Sequence, residues 1–167
     1  MRGDGDGWVR TANGTRYWGR YGAAGLLLRA PRPDAATAIL LQRRATWSHH
    51  GGTWGLPGGA RDSHESPEAT AIREACEETG LRCDQITVRS SIVTAEAMLP
   101  SGRRWTYTTV IADAAELLAT VTSAESAELR WVPQRDVPKL GLHPGLAASW
   151  PALRAVTDRC DNPVARV

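Results

Sequence analysis

A chain of 167 residues, 42% of them hydrophobic, has the length for one domain with its own core. Its formal net charge of +2 gives no reason to expect nucleic acid or a strongly acidic partner. Residues 1–7 are polar and glycine-rich and lack the apolar core of a signal peptide, and no apolar run reaches membrane-spanning length, so the expectation is a cytoplasmic protein without membrane contact.

Residues 1–17 are expected to be flexible or partly ordered, a main domain to cover 18–157, and 158–167 to be a tail. Within the domain, 21–30 and 38–43 read as two strands joined by the turn Pro31-Arg32-Pro33-Asp34. A Gly- and His-rich loop over 47–55 leads to a helix over 67–79. Ser66 is suited to cap its free amides, Pro67 to its first position, and Gly80 to its end. A second hairpin follows over 85–98 and 105–113, then a helical turn at 114–119, a short strand over 129–132, and a helix over 144–157 with Leu146, Trp150 and Leu153 inward. Strands interleaved with a central and a C-terminal helix make an α/β protein with a mixed sheet covered by helices.

Three cysteines, Cys76, Cys83 and Cys160, form no CxxC pair and read as free thiols of a reducing compartment. Tryptophan supplies aromatic bulk in a chain without phenylalanine, and its spacing makes no cofactor box, so most tryptophans are assigned to core or pocket wall. His49-His50 is a poor metal pair: adjacent histidines seldom aim at one centre, and no third ligand follows at suitable spacing. With Trp47 and Trp54, His49 is expected near the mouth of a site, where an aromatic ring can stack on a base.

The densest chemistry lies in 59–81. Gly59 is followed after five residues by Glu65, and after seven more by Arg73-Glu74-Ala75-Cys76-Glu77-Glu78-Thr79-Gly80-Leu81. At 100° per residue the helix should bury Ala69, Ile72 and Cys76 and present Glu74, Glu77 and Glu78 on the other side. Glu74 and Glu78 are a like-charged pair one turn apart, and Glu77 and Glu78 lie where the helix dipole is already negative, so folding alone disfavours the arrangement. A hard divalent cation would offset that repulsion, and oxygen-only ligands suit Mg²⁺, with Mn²⁺ as substitute.

This spacing resembles the Nudix box of the MutT-like Nudix hydrolases at every fixed position. Seven fixed residues, each at about 5–7% background frequency, match by chance on the order of once in a hundred million starts. The lead-in Leu56-Pro57-Gly58-Gly59 is similar to that of the family as well. The resemblance implies the Nudix fold, an α/β/α sandwich with a mixed β-sheet. It implies metal ligation by Glu74, Glu77, Glu78 and the Gly58 carbonyl, with Arg73 orienting the glutamates and Glu65 in a structural part. It further implies a general base, either a glutamate of the loop before the late strand, Glu125 being favoured over Glu128, or Glu74, and an arginine after the second strand that holds substrate phosphate. Alternation lets only one of Arg43 and Arg44 face a cleft, and Arg43 is favoured. Trp54 is a substrate-stacking candidate.

The activity implied is Mg²⁺-dependent cleavage of a nucleoside diphosphate linked to a further group, foremost a (d)NTP to (d)NMP and pyrophosphate. Dinucleotides, nucleotide sugars, capped RNA and ADP-ribose are alternatives of the same class. Against ADP-ribose, the position where its hydrolases often carry a proline beyond the box is Ala95 here. A different class is a Nudix-fold sensor that binds a nucleotide without turnover, and the intact box argues against it. Many members of the family dimerise, so a homodimer is an open expectation, whereas a nucleic-acid partner is not expected.

Overall fold

The computed structural model describes residues 3–161, so the last six residues of the expected tail lie outside the described residues. Among the described residues nine strands and two α-helices occur in the order β1 (Trp8–Arg10), β2 (Arg16–Trp18), β3 (Ala23–Pro31), β4 (Thr37–Arg44), β5 (Trp54–Gly55), β6 (Gly58–Ala60), α1 (Pro67–Thr79), β7 (Thr87–Met98), β8 (Arg104–Asp113), β9 (Ser126–Pro133) and α2 (Pro144–Asp161).

β3 is the spine. Its run Ala-Ala-Gly-Leu-Leu-Leu is apolar on both faces, as a central strand covered on both sides must be. One edge pairs in parallel with β8, which pairs antiparallel with β7. The other edge pairs with β4 only over Arg29 to Pro31, after which the two strands fork. Into the fork come β6, beside Ala23 to Gly25 of β3, and β5, beside Gln42 and Arg43 of β4. The outer edge of β4 carries β9. At the fork the Leu26 amide donates to the Pro57 carbonyl at 2.8 Å, which pins the glycine turn against the spine.

Alternate residues of β3 feed two cores. Ala24, Leu26 and Leu28 pack with Ala71 and Ala75 of α1, and Leu27 packs with Ile39, Leu41, Ile111, Trp150 and Leu153 on the α2 side. The result is the expected α/β/α sandwich. Arg29, 5% exposed, ties the layers: its guanidinium grips both Asp113 oxygens at 2.8 and 3.1 Å and reaches the Thr157 carbonyl at 3.2 Å and Asp161 at 2.9 Å, near the negative end of α2.

Residues 8–18 form the β1–β2 hairpin, whose Val9 and Tyr17 pack against Ala23, Leu99 and Trp105. Three expectations are corrected. Residues 114–119 make no helical turn; the Leu118 carbonyl instead accepts from the Trp131 indole at 2.9 Å. The buried stripe of α1 is Thr70, Ala71, Ala75, Glu78 and Thr79, while Ala69 is exposed and Ile72 and Cys76 are only partly covered. Small residues face the sheet because α1 lies close against β3 and β6, where no room exists for a bulkier stripe. Finally, Cys76 and Cys83 are not free thiols but a disulfide pair; Cys160 is free.

Candidate active site

Local signals place α1. The Ser66 hydroxyl accepts from the Ala69 amide at 3.1 Å, Pro67 opens the helix, and the Gly80 amide closes it on the Cys76 carbonyl at 3.0 Å. Its depth is set by the glycine turn. A Cβ on Gly58 would lie 2.3 Å from the Ala24 carbonyl oxygen, and one on Gly59 would lie 2.5 Å from the Glu74 carboxyl carbon. Two bare backbone positions therefore admit the glutamates to the edge of the sheet.

Arg73 organises the box. Its Nε and one terminal nitrogen grip the two Glu65 oxygens at 2.6 and 2.9 Å, and its other terminal nitrogen reaches Glu74 at 2.8 Å and Glu77 at 3.7 Å. The Ala60 carbonyl accepts a further bond at 3.3 Å. Glu65 also accepts from the Asp62 amide and the Thr70 hydroxyl. The Arg73 guanidinium holds the Glu65 carboxyl down to about 2. Glu65 is thus an anchor for Arg73 and not a member of the reacting cluster.

Glu78 is 7% exposed, and its Oε2 accepts from the Gly58 amide at 3.0 Å. Burial pushes its carboxyl up to about 9 against the pull of that amide, and the neighbouring Glu74 and Glu125 carboxylates push the same way. Burial likewise raises Glu74, opposed by Arg73 and assisted by Glu77 and Glu125. Glu125 lies in the loop before β9, anchored where its carbonyl accepts from the Ala45 amide at 3.1 Å. The Glu125 charge thus acts on both Glu74 and Glu78, with Glu77 exposed at the rim and Glu128 paired with Arg130 instead.

This donor set fits a hard divalent cation. Carboxylates that raise one another's hold on protons carry more negative charge than Arg73 offsets, and a cation would take the place of those protons. Glu74, Glu77, Glu78 and the Gly58 carbonyl offer only oxygen, which suits Mg²⁺ or Mn²⁺. Among the described residues the acidic and histidine atoms already within 4.8 Å of one another belong to a separate trio, Asp4, Asp62 and His64, at the surface.

A register shift between Arg43 and Arg44 interrupts alternation at the end of β4. Arg43 is exposed; Arg44 is partly covered, its Nε donates to the His49 carbonyl at 2.9 Å, and its charge acts on Tyr107, on which the Glu78 carboxylate also acts. Trp54 does not lie open at the mouth: it is 7% exposed within the α2-side core, and the Arg130 guanidinium covers its ring at 4.8 Å. Trp47 is the open one, at 73%. His49 and His50 lie in a row of edge-to-face rings, Trp8 to His49 at 5.7 Å, His49 to His50 at 4.0 Å, and His50 to His143 at 4.7 Å. Tyr107, which sequence reasoning missed, has its hydroxyl above Gly25, and burial with Glu78 nearby raises its hold on the proton.

The chain is similar to several known proteins. A family profile described as NUDIX domain matches residues 20–153. A protein of Mycobacterium tuberculosis (strain ATCC 25618 / H37Rv), provisionally named 8-oxo-dGTP diphosphatase 3, is 63% identical over 97% of this chain and 77% of its own. The nucleoside triphosphate pyrophosphatase/Nudix hydrolase fusion protein of Bifidobacterium longum (strain NCC 2705) is 40% identical over 92% of this chain and 32% of its own. The crystal structure of RenU, a Nudix hydrolase from M. smegmatis, is 64% identical and superposes with a TM-score of 0.90, covering 92% of this chain and 96% of that one.

Proposed function

The chain belongs to the NUDIX family and is a Nudix hydrolase, and from that premise we propose that it is a divalent-metal-dependent pyrophosphohydrolase converting a (d)NTP to (d)NMP and pyrophosphate. The observation that carries the reading is the meeting of Glu74, Glu78 and Glu125 beside the Gly58 turn. The 63% identity to a protein provisionally named 8-oxo-dGTP diphosphatase makes the oxidised purine triphosphate 8-oxo-dGTP the first substrate to test.

Glu74, Glu77, Glu78 and the Gly58 carbonyl would hold Mg²⁺ or Mn²⁺. When bound, the cation supplies charge neutralisation on the bridging phosphates and acidifies a ligated water. Arg73 keeps the Glu74 carboxylate aimed by spending its remaining donors on Glu65. Glu125, in the loop before β9, takes the proton from the attacking water as the phosphoanhydride bond breaks. Arg44 holds a phosphate oxygen from the end of β4, the part the sequence had suggested for Arg43.

The test is product analysis by anion-exchange chromatography on a panel of (d)NTPs, 8-oxo-dGTP, ADP-ribose, NADH, dinucleoside polyphosphates and nucleotide sugars, with Mg²⁺, Mn²⁺ or EDTA. Metal-dependent release of nucleoside monophosphate and pyrophosphate from a triphosphate is expected. Binding of a nucleotide without cleavage, by folded and metal-loaded protein, would overturn the reading in favour of a sensor.

A further inference from the structure

We propose that Cys76 and Cys83 are a redox modification site on the box helix, closed by hydroperoxide-class oxidants and opened by dithiols, and that its closure fixes the turn carrying Glu77 and Glu78. The regulatory half of the proposal rests on the hydrolase reading above; the modification itself does not.

Cys76 sits between Glu74 and Glu77, and its carbonyl accepts the amide of Gly80 that ends α1. Its partner Cys83, seven residues on, opens the short 3-10 turn Cys83–Gln85, and the two Cα atoms are 6.1 Å apart, within ordinary disulfide reach. Cys83 is exposed and Cys76 partly covered, so both oxidant and reductant can reach the pair. Cys160 lies on α2, across the sheet from α1, and cannot compete as partner.

The turn that the bond would secure has no basic residue to meet the dipole, yet it bears Glu77 and Glu78. Its other ties include the Gly80 cap, the Val121 amide, which donates to the Thr79 carbonyl at 2.8 Å, the Gly58 amide on Glu78, and the Thr79 hydroxyl on the Ala75 carbonyl. A covalent link from Cys76 to the following turn limits fraying of the residues that would ligate metal.

The chemistry balances with a hydroperoxide as the two-electron oxidant. The exposed Cys83 sulfur attacks the peroxide, the O–O bond breaks, and Cys83 sulfenic acid and water (or an alcohol) result. The Cys76 sulfur then attacks the Cys83 sulfur, the S–O bond breaks, and the Cys76 proton leaves with the hydroxyl as a second water. A dithiol reverses the closure by exchange and is itself oxidised.

The experiment uses the full chain with Cys160→Ser, so that only the pair remains. Protein is treated with hydrogen peroxide or dithiothreitol, alkylated and mapped by mass spectrometry, and amide hydrogen exchange is followed in the same samples without metal. A peptide pair joined through Cys76 and Cys83 is expected after peroxide, with slower exchange over residues 77–81 than in reduced protein or in Cys83→Ser. In turnover, closure is expected to lower the Mg²⁺ concentration at half-maximal rate by about tenfold, with little change in the saturated rate. Two alkylatable thiols after peroxide would overturn the site, and unchanged exchange together with unchanged metal dependence would overturn its coupling to the helix. Should no nucleotide be cleaved in either state, the mapping and exchange arms still decide the proposal, while the hydrolase reading fails separately.

Discussion

The Gly58 amide donates to Oε2 of Glu78 at 3.0 Å across twenty residues of sequence, so the glycine turn reads the position of the last turn of α1 directly. With its carboxyl pushed up to about 9 by burial, Glu78 in the metal-free protein holds its proton at neutral pH.

A pH signature follows from that burial. A carboxyl raised from 4.5 in the unfolded chain to about 9 in the fold stabilises fully below 4.5, and that contribution declines as pH rises through the window and is gone above 9. Glu78→Gln mimics the protonated acid. In EDTA its melting temperature should match wild type at pH 5 and exceed it increasingly toward pH 9. Turnover with Mg²⁺ should fall by about a hundredfold or more, because a ligand is lost. Parallel melting curves for the two proteins from pH 5 to 9 would refute the burial account.

Arg73→Lys is expected to behave as a loss, not a conservative change. A single ammonium cannot grip both Glu65 oxygens and reach Glu74 as the guanidinium does. Activity should fall by about 10- to 100-fold, with Glu65 titrating closer to its ordinary value than to about 2. Carboxyl NMR titration of the variant checks the second part independently of catalysis.

Neighbouring glycines should fail in different ways. Gly58→Ala drives a methyl into the Ala24 carbonyl and the Gly25 backbone, which cannot yield, and should cost about 1–3 kcal/mol in urea unfolding. Gly59→Ala meets only the Glu74 side chain, so its main effect should be lost turnover with near-native stability. Equal unfolding midpoints for the two variants would contradict this division.

The two loop acids before and in β9 should separate cleanly. Glu125 acts on both Glu74 and Glu78, whereas Glu128 is engaged by Arg130. Glu125→Gln should reduce kcat by about 10²- to 10⁴-fold, as for loss of a general base. Glu128→Gln should leave kcat nearly intact. A full-rate Glu125→Gln enzyme would return the base to Glu74.

The extent of α1 was legible in the sequence because its signals are local: a Ser-Pro start, a glycine stop, and the spacing of the box are read within a few bonds of each residue. The strands of the main sheet were legible for the same reason, since their apolar runs are set by burial on each strand. Which face of α1 turns inward was not, because it depends on the fork between β3 and β4 and on Gly58 and Gly59 admitting Glu78 and Glu74 where apolar side chains would ordinarily go. The burial of Trp54 under Arg130, and the register shift between Arg43 and Arg44, are likewise products of strand pairing. Cys76 and Cys83 looked like unpaired thiols in a chain without a CxxC motif. Only the turn after α1, which folds back within 6.1 Å between Cα atoms, makes them partners. Residue type and spacing alone set which oxygen donors the box can offer a cation. Tertiary structure decided which carboxylates share one field, because Glu125 reaches Glu78 only through the sheet that brings β9 beside β4.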